Sequence, residues 1–180
     1  MGLFSKKSSS ASSRLADAVA ADAAEAFARF VADRGDHSIV ALALCSVDDA
    51  VAPYIMGATL DDIGPIEGTD ETSWRTDPAD WSWNDEGHEY RCAAIIDEML
   101  EHQPESFEKH GRDIFEGIVE GLKKFDASGK FKGKLPREQM LLVLWINDPA
   151  ENNSKGVMKW VGQMNPKPVA TWFNAVYSYR

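Results

Sequence analysis

The chain has 180 residues, 44% of them hydrophobic and 27% charged, with a formal net charge of −10. That length fits one domain able to bury about two-thirds of its unfolded surface, and that composition excludes a disordered or fibrous chain. No apolar run approaches the ~20 residues that cross a bilayer, and two cysteines without a CxxC pair argue against a disulfide scaffold, so a reducing compartment, the cytoplasm, is expected.

Residues 1–13 read as a disordered tail and 14–180 as one globular domain. The start is basic and serine-rich, but Asp17, Asp22 and Glu25 interrupt any signal-peptide core, and Lys6 stands where myristoylation needs serine or threonine. From Arg14 to Arg34 the apolar residues Leu15, Val19, Ala23, Phe27, Phe30 and Val31 recur at helical spacing, and Gly35 supplies the stop. SIVALALCSV (38–47) is a short apolar run bounded by charge, which predicts a strand buried on both faces. Residues 48–87 show little periodicity and carry Pro53, Gly57, Gly64, Pro65, Gly68 and Pro78, so a long irregular loop is expected; such loops tend to be functional.

Helical spacing returns over His88 to His102 through Cys92, Ile95, Ile96, Met99 and Leu100. A further helix is predicted from about Pro104 to Phe125, with Phe107, Gly111, Ile114, Phe115, Ile118, Leu122 and Phe125 on one face. MLLVLWIND (140–148) places a second apolar strand near 139–147. Glu151 to Gln163 reads as a helix with a first turn weakened by Asn152 and Asn153. Asn165-Pro166 reads as an N-cap followed by proline at the first helical position, opening a last helix with Val169, Trp172, Phe173, Val176 and Tyr177 inward. The expected fold class is α/β, with α+β as the other option: a single layered domain whose small central sheet is packed by four or five helices. Strand order is not legible.

Charge is unevenly placed. Residues 47–90 hold twelve acids against Arg75 alone, a balance of 1 − 12 = −11, whereas residues 123–137 hold six bases against Asp126. Phosphate binding needs a basic footprint, so nucleic acid is not an expected ligand, and 123–137 reads as a solvated turn. GKFKGKL (129–135) lacks the spacing and the Ser or Thr of a phosphate loop. His88, His102 and His110 match no zinc pattern and read as helix-end residues. Cys45 and Cys92 sit in apolar runs that suit inert thiols, and no G-x-S-x-G elbow is present. Paired carboxylates are too numerous to single out a dyad, and GIVEG (117–121) reads as a close-packing device or a coincidence. No catalytic residue, metal ligand or cofactor is assigned.

WRTDPADWSWNDEG (74–87) concentrates three tryptophans and four acids in fourteen positions. Two compatible readings follow. Trp74, Trp81 and Trp83 plug the core, or they anchor a binding rim with Asp77, Asp80, Asp85 and Glu86 facing a basic partner. Asp77 to Asp80 also reads as a short helical turn, with Asp77 capping and Pro78 at its first position.

The long first helix leads into IVALALCS, and WRTDPADW follows at 74–81. GLKKFDASGKFKG comes at 121–133, LLVLWINDPAE at 141–151 and MNPKPVATWF at 164–173. In that order these segments resemble the bacterial domain-of-unknown-function family 4303, over roughly residues 15–175. The resemblance implies no established activity or cofactor, and its members look like proteins encoded beside secreted bacterial toxins. Together with the charge pattern it leads to the expectation of a non-enzymatic, cytoplasmic immunity protein that binds and neutralises a cognate basic toxin or effector through its acidic, tryptophan-rich surface, without membrane or nucleic-acid contact. The alternatives are an enzyme or metal-binding protein with a dispersed carboxylate and histidine site, or a structural adaptor.

Overall fold

A computed structural model describes residues 10–35, 38–46, 53–66, 76–101, 107–147 and 151–177. Helix α1 (Ala11–Arg34) begins three residues before the expected Arg14, because the Ser10 hydroxyl accepts the Ser13 N–H at 3.2 Å and caps it. Residues 11–13 therefore belong to the helix, and residues 1–9 of the expected tail lie outside the described residues. Gly35, at φ 56°, ends α1 where a side chain would be strained. Leu15, Val19, Ala23, Phe27 and Phe30 are buried as expected, but Val31 is 39% exposed.

The sheet has four strands in the order β3-β2-β1-β4: β1 (Ile39–Ser46), β2 (Tyr54–Thr59), β3 (Trp83–Asn84) and β4 (Leu141–Ile146). β1 runs antiparallel to β2 and parallel to β4, and every residue of β1 and β4 is buried, as their unbroken apolar runs require. β2 and β3 correct the expectation of an irregular loop over 48–87. Gly57 disguises β2, and it has a packing reason. A Cβ there would lie 2.3–2.7 Å from the Phe30 ring of α1. Its absence lets Phe30 settle on the sheet and stack on Trp83, ring centroids 4.6 Å apart and 21° from parallel.

Strand alternation divides the core. Leu42, Gly57 and Trp83 share a register row and a face, the one covered by α1. Cys45 pairs with Trp145 on the opposite face, where Trp145 meets Tyr177 of α6 (Lys167–Tyr177) edge-on at 5.5 Å. α4 (Phe107–Ala127) lies along α1, and GIVEG is the close-packing device: a Cβ on Gly117 would sit 2.9 Å from Leu15, and one on Gly121 2.6 Å from Val19 and 2.7 Å from the Ala16 carbonyl. Phe27, Phe125 and Phe131 close the far end of that seam, with centroids 5.2–6.0 Å apart.

The remaining helices are the single turn α2 (Leu60–Ile63), α3 (Arg91–Glu101) and α5 (Glu151–Met164). The described residues thus form one mixed α/β domain of six helices around four strands; the count exceeds the expected four or five because α2 hides in the supposed loop.

Asn165 departs from its expected role. It does not cap α6. Its amide instead accepts the Leu142 N–H at 2.8 Å and donates to the Leu142 carbonyl at 2.7 Å, standing in for a neighbouring strand on the open edge of β4. Arg137 fastens this corner by donating to Asp126 at 2.8 Å, to the Met164 carbonyl at 3.0 Å and to the Met140 carbonyl, with its guanidinium 5.0 Å from the Phe131 ring centre.

Candidate functional site

The acidic segment after β2 is the part of the chain whose composition calls for explanation, and the fold gives its described tryptophans and acids different tasks. Trp74 lies outside the described residues. The Asp77 carboxylate accepts the Ala79 N–H at 3.1 Å and caps the turn Pro78–Asp80, as its sequence predicts, in the tighter 3-10 form. Trp81 and Trp83 are only 5% and 6% exposed. They are core plugs, which removes them as exposed anchors of a rim.

Asp85 also leaves the rim, because its side chain is 2% exposed. Its two oxygens accept from Arg29 of α1, Nε at 2.9 Å and Nη2 at 2.5 Å, a fork that fixes both groups. The Tyr90 hydroxyl donates to the same carboxylate at 2.9 Å, and His88 Nε2 stands 3.5 Å away. Burial pushes the Asp85 carboxyl upward, but the hydrogen bonds from Arg29 and Tyr90 outweigh it and hold the group below its ordinary value. Burial, and then the carboxylate itself, raise the Tyr90 phenol. Asp85 is a tie between α1 and the loop rather than a surface charge.

Asp62 is likewise occupied. It accepts from the Thr59 N–H at 2.7 Å and from the Ser82 hydroxyl at 3.0 Å, joining α2 to the loop, while Arg34 donates to the Ser82 carbonyl. Among the described acids of residues 76–90, those that remain at the surface are Asp80, Glu86 and Glu89. Glu86 accepts from the Asn84 amide at 3.0 Å, and none of the three forms an ion pair with a described lysine or arginine. Beside them a cavity of about 490 Å³ opens at the start of β2.

Sequence reasoning misses the two residues that organise this site, Arg29 and Tyr90. It also misses Asp22, buried on α1, which accepts the Cys92 N–H at 2.9 Å and so caps α3 from a distant helix, with Arg91 donating to it at 3.1 Å. No local signal marks these pairings, since their partners lie 56 to 70 positions away in the chain except for Tyr90. His88 is exposed, His102 lies outside the described residues, and the side chain of His110 is not described. Burial raises the thiols of Cys45 and Cys92 well above the range in which a thiolate forms readily. Among the described residues no group of three His, Cys, Asp or Glu is placed to hold a metal ion, and no helix is long and apolar enough to cross a membrane.

A family model described as a domain of unknown function (DUF4303) matches residues 19–166. Among curated proteins and among solved structures, none matches the chain.

Proposed function

The chain belongs to the DUF4303 family, and from its own surface we propose that it is a non-enzymatic, cytoplasmic binding protein of the immunity type. It would dock a basic toxin or effector on the acidic rim after β2 and so block that partner's working surface. One observation supports this reading above others: Asp80, Glu86 and Glu89 project from a ledge pinned from beneath by Trp81, Trp83 and the Asp85–Arg29 pair. Acids needed for solubility alone require no such support, and clustering them costs self-repulsion. A rigid ledge of unmatched carboxylates loses little side-chain or loop freedom on binding a cationic surface, which favours affinity. A nucleophilic role for either cysteine has little to recommend it, because both thiols are buried and held protonated.

The test is equilibrium binding to the product of the neighbouring gene, by titration calorimetry, of the native chain and of the triple variant Asp80→Lys, Glu86→Lys, Glu89→Lys. These three side chains are exposed, so the variant should fold, each change altering stability by under about 0.5 kcal/mol. Binding weakened at least a hundredfold is the expected result. Unchanged affinity in a variant with native circular dichroism would overturn the acidic-rim reading.

A further inference from the structure

The cavity at the start of β2 is lined by Tyr54, Met56, Asn84, Glu86, His88 and Tyr90, among others, and its volume of about 490 Å³ falls within the ~300–1,000 Å³ of small-ligand pockets. Its charge is one-sided. Asp85, at its floor, is matched by Arg29, whereas Glu86 is bonded to the neutral Asn84 amide, and among the described residues no lysine or arginine lines the space. Two phenol rings beside an unmatched carboxylate attract cations. They suit a guanidinium better than an ammonium, because a guanidinium stacks on rings and donates to a carboxylate as a planar fork.

We propose that this cavity receives one arginine side chain of the basic partner, its guanidinium against Glu86 and its stem along Met56 and the tyrosine rings. The proposal rests on the acidic-rim reading and sharpens it: the rim sets how fast a cationic surface arrives, and the cavity sets how long it stays. Ala79, exposed at the mouth, offers a way to close the cavity without changing charge.

The experiment titrates the full chain with N-acetyl-arginine amide, following the ring signals of Tyr54, Tyr90 and His88 by nuclear magnetic resonance. N-acetyl-lysine amide and the neutral isostere N-acetyl-citrulline amide serve as comparisons. Saturable binding of the arginine compound with a dissociation constant of about 1 mM is expected, the range of so small a ligand with one ion pair. Lysine should bind several-fold more weakly and citrulline not at all. Both Glu86→Gln and Ala79→Trp should weaken the arginine compound at least tenfold, and Ala79→Trp should speed release of the protein partner about tenfold with its association rate unchanged. Equal binding of citrulline, or no effect of either variant, would overturn the cavity assignment. Partner release unaltered by Ala79→Trp would do the same, while salt-sensitive association in that variant would leave the rim reading standing.

Discussion

Replacing Asp85 with asparagine isolates the ion pair with Arg29 that joins α1 to the acidic segment. The change keeps the side chain's size but removes the charge opposite Arg29 and puts an amide donor among the donors that now converge there, Nε at 2.9 Å, Nη2 at 2.5 Å and the Tyr90 hydroxyl at 2.9 Å. Breaking a fully buried pair from one side costs about 3–5 kcal/mol. Here the Arg29 side chain remains 36% exposed, so water solvates the charge left behind, and the expected loss is nearer 2–3 kcal/mol. For a chain of this size that lowers the melting temperature by about 5–10 °C. The pH dependence follows from the direction of the shift. The folded-state carboxyl lies below its ordinary value. Its contribution is therefore complete above the unfolded value of about 3.9 and disappears as pH falls through the lower folded value. Thermal melts of the native chain and the variant should differ most at pH 7 and converge below about pH 4, other acids cancelling in the comparison. Equal stability at pH 7, or a gap that persists undiminished at pH 3, would refute the assignment of Asp85 as a buried structural anion.

Gly121→Ala should destabilise by about 1–3 kcal/mol despite the ~1 kcal/mol that alanine gains in a helix, because the new Cβ would meet Val19 at 2.6 Å and the Ala16 carbonyl at 2.7 Å; a higher melting temperature would mean that α1 and α4 are not in close contact. Asn165→Ala should cost about 1–3 kcal/mol in urea unfolding by leaving the Leu142 N–H and carbonyl unpartnered at the edge of β4, and a loss below about 0.5 kcal/mol would show that water or another group serves them equally well. Cys45 and Cys92 should resist a chromogenic disulfide reagent at pH 8 until denaturant is added, since burial raises both thiols; two rapid equivalents in native buffer would contradict their placement.

The elements that the sequence makes plain are those whose pattern is carried by many residues at once. α1 and α4 repeat an apolar face over several turns, and β1 and β4 are unbroken apolar runs that only a strand covered on both sides accommodates. β2 escapes because its middle residue, Gly57, looks like a breaker when it is in fact room for the Phe30 ring, a partner supplied by a different element. Trp81 and Trp83 could be recognised as core or as rim, and the choice turned on whether a strand lay beneath them. The fate of the individual acids was hidden for a related reason. Asp85 and Asp62 differ from Asp80 and Glu86 only in what the fold brings to them, and Arg29 lies 56 positions from Asp85. Asn165 shows the converse case: a local motif that reads as a cap is overridden because an open strand edge lies within reach of the same amide.

The claim on which the account turns is that unmatched carboxylates after β2 recruit a cationic partner through their field. The direct measurement is the association rate constant with the neighbouring gene's product, taken by stopped flow from about 20 mM to about 500 mM salt, a range over which the Debye length shrinks from about 20 Å to about 4 Å. Electrostatic steering predicts that the native rate falls by roughly tenfold to a hundredfold across that range, while the Asp80, Glu86 and Glu89 reversal starts slower and shows little or inverted dependence. A native association rate that does not change with salt, or one that the reversal leaves untouched, would contradict the account.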